Sequence, residues 1–111
     1  MRNAKAVTKF MRVSPQKARL AAGLIRGKKA EDACLQLENS PMKGARFLLK
    51  TLKSAMANAE TVLEAQRADL KVKEVLVDGG PTMKRSKSKN KGGRVPILKR
   101  TSHFTVIVST E

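Results

Sequence analysis

The chain has no Trp and no Tyr, only three Phe, and a single Cys and a single His among its 111 residues. Each scarcity excludes something. One cysteine permits no internal disulfide, and one cysteine with one histidine cannot close a zinc site. Phe10, Phe47 and Phe104 are too few and too scattered for the base-stacking platforms of RRM or OB modules. No apolar run approaches the roughly 20 residues of a membrane span, and Met1 to Arg12 lacks the apolar centre of a secretory leader; the expected location is the cytosol or an organelle matrix. Catalytic groups are equally thin. Cys34 falls on the apolar stripe of a short helical pattern and reads as core, and a Cys34–His103 pair would rest on tertiary chance alone. Glu60 and Glu64 are spaced as a solvated helical pair. The paired glycines at Gly79 and Lys91-Gly92-Gly93 lack both the P-loop pattern and a following helix. The sequence therefore points away from an enzyme and calls for no cofactor or metal.

Acid is the other scarcity, and it is local. Lys and Arg number 24 against 9 Asp and Glu, a formal net charge of +15. The first 29 residues hold nine basic residues and no acid, residues 30–78 hold seven basic and eight acidic, and residues 79–111 hold eight basic and only Glu111. Charge split in this way predicts a near-neutral packed middle flanked by two segments that face a phosphate backbone. Membrane-surface binding would also need an amphipathic helix with bulky anchors, which the missing Trp and Tyr argue against.

The most unusual stretch is Gly79 to Arg100, GGPTMKRSKSKNKGGRVPILKR, with eight cations and no acid. It lies between two strand-like runs, LKVKEVLV from Leu70 and HFTVIVS from His103. An antiparallel ribbon with arms of about 11 residues, roughly 35 Å at ~3.3 Å per residue, is the economical reading. The other reading is a solvated loop. A ribbon without an apolar face is marginal in water, so a polyanion would have to order it.

Along the rest of the chain, Lys5 to Val13 has mixed alternation and predicts a first strand. Ser14-Pro15 is a helix start, with a capping hydroxyl and a ring pre-set for the first turn, and the helix is expected to run from Pro15 to about Arg26 with Gly27 as a left-handed cap. Ala30 to Glu38 fits a second helix closed by Asn39 and Ser40. Ser40-Pro41 repeats the start signal for the longest helix, roughly Pro41 to Gln66, whose stripe from Met42 to Leu63 makes it the main core element. Leu70 to Asp78 is a strand, and Phe104, Val106 and Val108 share one face of the last strand. Helices on one side of a sheet give a two-layer α+β domain.

Four segments together resemble a known family: SPQKARLAAGLIRGKKAEDA from Ser14, LKSAMANAE from Leu52, VKEVLVDGGPTMKR from Val72 and ILKRTSHFTVIVS from Ile97 are similar to the bacterial form of large-subunit ribosomal protein twenty-two. The resemblance covers nearly the whole chain in one order. It implies an α+β body of three helices packed on a three-stranded antiparallel sheet with a long protruding β-hairpin, a single domain over 1–111 with 79–102 as the arm. It implies a structural, rRNA-binding constituent of the large ribosomal subunit that supports assembly and lines the nascent-peptide exit tunnel with its tip. The partners it implies are large-subunit rRNA, neighbouring ribosomal proteins and the nascent polypeptide. Met83, Lys84, Arg85 and Arg94 become candidates for the tunnel wall. Lys99, Arg100, Thr101 and Ser102 on the returning arm, and Lys17, Arg19, Arg26, Lys28 and Lys29 on the body, become candidate rRNA contacts. Lys87, Lys89 and Lys91 join them from the acid-free stretch, as does His103, which reads as an ordinary half-buried or RNA-facing imidazole rather than a catalytic one. Family members commonly carry Pro-Arg and Gly-Arg-Ala at the tip, whereas Ser86 to Val95 here reads SKSKNKGGRV, in which Arg94 keeps the Gly-Arg part. The alternative from the charge alone is a free-standing basic DNA- or RNA-binding protein, which would need a groove-reading helix or a dimeric wedge.

Overall fold

A computed structural model describes residues 2–88 and 94–110, with side chains at 3–82, 84 and 98–110. The order is β1 Arg2–Met11, α1 Pro15–Gly23, α2 Ala30–Glu38, α3 Lys43–Val62, a short 3-10 turn Arg67–Asp69, β2 Leu70–Gly79, β3 Met83–Ser88, β4 Arg94–Lys99 and β5 Ser102–Thr110. Strands β1, β5 and β2 form an antiparallel sheet in that order, and β3 pairs with β4. The α+β architecture expected from the sequence is the one observed.

The central strand β5 is the one with the cleanest alternation. Phe104, Val106 and Val108 are fully buried on its helix side, opposite Ala4, Ala6 and Thr8 of β1 and Val72, Val75 and Val77 of β2. The spacing in β2 is odd: Val72 and Val75 are three apart, which in a regular strand would put them on opposite faces. A register shift between Val72 and Glu74 absorbs the extra residue and returns Val75 and Val77 to the core.

Three helices cover that face. Ala45, Leu48, Leu52, Ala55, Met56 and Ala59 of α3 are buried on one stripe, and a hydroxyl pair between Thr8 and Thr51 at 2.8 Å joins α3 to β1. Helix α1 contributes only alanines to the core, Ala18, Ala21 and Ala22, so it can approach α3 closely. At the crossing a Cβ on Gly44 would lie 3.2 Å from the Cα of Ala18.

Helix boundaries differ from the sequence expectation in three places. Helix α1 stops at Gly23 rather than near Arg26, because Leu24 and Ile25 donate three residues back, to Ala21 and Ala22, and tighten the last turn. Gly27 does take the left-handed conformation, φ +78°, but its N–H donates to Val72 O and so ties the turn to β2. Helix α3 begins at Lys43 rather than Pro41, with the Met42 N–H held by Ser40 Oγ at 3.3 Å. It ends at Val62 rather than Gln66, since Glu64 adopts φ +53° and the N–H groups of both Leu63 and Ala65 turn back to Ala59 O.

Candidate nucleic-acid interface

The arm continues the body sheet outward from β2 and β5, and the molecule measures 62 × 24 × 16 Å along its principal axes. Its register pairs Met83 with Lys99, Lys84 with Leu98, Arg85 with Ile97, Ser86 with Pro96, Lys87 with Val95 and Ser88 with Arg94. Cations of β3 thus sit across from apolar residues of β4, and none of these six pairs sets two cations opposite each other. Directly opposed like charges destabilise a ribbon, and this register avoids them for the five cations of β3 and β4. Lys89 and Lys91 lie outside the described residues, and Met83, Arg85, Lys87 and Arg94 are placed by their backbone in β3 and β4.

The root of the arm is built from polar groups. Gly80 N–H donates to Thr101 O at 2.9 Å, the Thr101 hydroxyl donates to Pro81 O at 2.7 Å, and the Ser102 hydroxyl donates to Val13 O at 2.6 Å. Thr101 is 5 % exposed and Ser102 0 %. Their hydroxyls, expected from the resemblance among the candidate rRNA contacts, are turned inward and spent on fixing the arm to the body. His103 is half-buried beneath Phe10: its Nδ1 accepts from Phe10 N–H at 3.1 Å and the two rings meet edge-on at 5.0 Å. Phe10 itself takes φ +60° where the β1 register shifts.

On the body, Arg19 and Arg26 reach along the free edge of β2, donating to Val77 O at 3.1 Å and Val75 O at 2.8 Å. Each satisfies an edge carbonyl with one nitrogen while keeping its other donors on an exposed side chain. Lys28 and Lys29 follow in the turn that completes this edge: Lys28 O accepts from Val72 N–H and Lys29 bridges to Lys71. Lys17, Lys99 and Arg100 lie elsewhere, in a cleft between α1, the start of α3 and the returning arm.

Arg12 and Lys43 line the same cleft and were not picked out from the sequence. A signal was present. The first turns of α1 and α3 contain no acid, whereas α2 has Glu31 and Asp32 in its first turn. Helix N-termini favour negative charge, so Lys17 and Lys43 near two such ends are electrostatically misplaced unless an anion comes from outside.

Among the described residues no cluster of His, Cys, Asp or Glu could hold a metal ion, and no helix is long and apolar enough to cross a membrane. Cys34 is half-buried with its thiol 3.6 Å from Met56 Sδ, and burial pushes its pKa up, the reverse of what a nucleophile needs. Glu60 pairs with Arg67.

A small α+β body carrying a cationic two-stranded arm, with no catalytic constellation among the described residues, defines a class: a small, strongly basic structural protein. The profile of the family described as ribosomal protein L22p/L17e matches residues 6–109. The large ribosomal subunit protein uL22 of Protochlamydia amoebophila (strain UWE25) is 66 % identical over 109 residues, covering 98 % of each chain. The proteins of that name from Chlamydia trachomatis serovar L2 and Chlamydia pneumoniae are each 57 % identical over 104 residues, covering 94 % of each chain. The chain belongs to the ribosomal protein L22p/L17e family, a family of structural rather than enzymatic proteins.

Proposed function

We propose that the protein is a structural constituent of the large ribosomal subunit that binds rRNA through its body and threads its arm between rRNA segments, with the arm's tip in the wall of the exit tunnel. One observation carries the reading: within an acid-free stretch of eight cations, strands β3 and β4 pair in a register that sets none of their five cations directly opposite another. A ribbon so charged gains nothing from a core of its own and is complementary to phosphates on several sides. Lys acts there as a point charge and Arg as a bidentate fork. The chain is one domain, with 79–102 as its arm. Body contacts come from Lys17, Arg19, Arg26, Lys28 and Lys29, and arm contacts from Lys84, Arg85, Lys87, Lys89, Lys91, Arg94, Lys99 and Arg100, with His103 at the arm's base. Met83, Lys84, Arg85 and Arg94 meet the nascent polypeptide, and neighbouring ribosomal proteins complete the surroundings. This places the protein with ribosomes in the cytoplasm.

The test is a density map of the protein in its particle together with crosslinks from cysteines placed singly at Met83 and Arg94 in a Cys34→Ala background. Crosslinks to rRNA and to a stalled nascent chain are expected. Fractionation away from ribosomal subunits, or recovery with DNA after a high-salt wash, would refute the reading.

A further inference from the structure

The cleft at the foot of the arm combines cationic with exposed aliphatic side chains. It encloses about 640 Å³ between Arg12, Val13, Ser14, Lys17 and Leu20 on one side, Met42, Lys43 and Gly44 below, and Leu98, Lys99 and Arg100 on the returning arm. Five of these side chains are cationic and exposed. None of the five makes an ion pair among the described residues. Between them lie two aliphatic side chains that the fold leaves in water, Leu20 at 68 % exposure and Leu98 at 46 %, with the half-buried Met42 beside them.

We infer that this cleft holds one unstacked nucleotide of bound RNA, its base against Leu20, Met42 and Leu98 and its flanking phosphates against Lys17, Lys43 and Arg100. The inference deepens the rRNA-binding reading and rests on it. A groove that only tracked a duplex backbone would need cations alone, and exposed leucines in it would sit against phosphate. An apolar floor ringed by cations matches instead a group with an apolar flat face and anionic ends. A base extruded from the stack has that chemistry, since every base presents a π-face whatever its hydrogen-bonding edge. Bulges and loops in RNA supply such bases already unstacked. The Ser14 hydroxyl is engaged in capping α1 through Lys17 N–H at 3.4 Å, so the cleft offers little to read a base edge and selects for an extruded base rather than for its identity. Leu98 and Arg100 belong to the arm's descending strand and the turn after it, so filling the cleft also fixes the angle at which the arm leaves the body.

The experiment uses the full-length protein and two RNA duplexes identical but for a single bulged 2-aminopurine, with a fully paired 2-aminopurine control. Wild type is expected to bind the bulged duplex about tenfold tighter and to change the fluorescence of the bulged base alone. The double variant Leu20→Ser, Leu98→Ser changes two exposed residues and should keep its melting curve and its affinity for the paired duplex while losing the preference and the fluorescence change. Lys17→Gln with Lys43→Gln should weaken binding to the bulged duplex at low salt. Equal wild-type affinity for the two duplexes would overturn this inference alone, provided ribosomal RNA is still bound; failure to bind ribosomal RNA would overturn the proposed function with it. Retention of the preference in the leucine variant, or displacement of the bulged RNA by a poly-glutamate peptide that the leucine variant no longer binds, would likewise reject the nucleotide as occupant.

Discussion

At the residue scale, the arm's attachment hinges on Gly80. A Cβ there would lie 2.5 Å from Thr101 Oγ1 and 3.0 Å from His103 Cε1, so Gly80→Ala must push apart the groups that join arm to body. The expected loss is about 1–3 kcal/mol, the range for overpacking, read as a lowered denaturation midpoint. The position is in a GGP turn, which the sequence marks as a bend; that the crowding comes from Thr101 and His103, over twenty residues away, is a tertiary fact. Cys34 makes a second residue-scale prediction. Its folded-state pKa lies above the ordinary thiol value of 9.0 because burial disfavours the thiolate, so the folded protein holds the proton where the unfolded chain has released it. Stability associated with this thiol is present below pH ~9 and is lost as pH rises past it. Alkylation of the native protein at pH 8 should be slower than that of the urea-unfolded chain; equal rates would contradict the burial.

At the element scale, α3 is the spine and the arm is an appendage. Leu48 and Leu52 are fully buried against the sheet, and Leu52→Ala should cost ~2–5 kcal/mol, visible in urea denaturation. Replacing Met83–Lys99 by a short Gly-Ser link should do far less harm, because the groups that close the root, Gly80, Thr101 and Ser102, remain. Cooperative melting and the helical far-UV signature are expected to persist; their loss would mean that arm and body fold as one unit. Helix α3's buried stripe was readable from its i, i+3, i+4 spacing, but its ends were not: the sequence from Leu63 to Gln66 contains no glycine or proline, and the left-handed turn falls on Glu64. The bulge in β2 was equally hidden, although LKVKEVLV contains the odd spacing that demands it.

At the scale of the whole molecule, charge separates from packing. The arm from Met83 to Lys99 carries seven cations, and if each neutralises a phosphate, its removal should flatten the dependence of log affinity on log salt for ribosomal RNA by on the order of 5. An unchanged slope would place the contacts on the body alone. The amino-acid order by itself determined which segments could be buried, which strands alternate, and that one long stretch without acid could have no core of its own, because each of these follows from composition and from periods of 2 and 3.6 that are local along the chain. Only the tertiary structure decided which polar residues beside that stretch point out. Thr101 and Ser102 look like surface residues in sequence and are buried by the meeting of β5 with the chain at Val13. Arg12 and Lys43, 31 positions apart and unremarkable singly, become one cationic cleft because the close crossing of α1 over Gly44 brings their helix starts together. Proximity between distant segments is set by packing, and no local pattern encodes it.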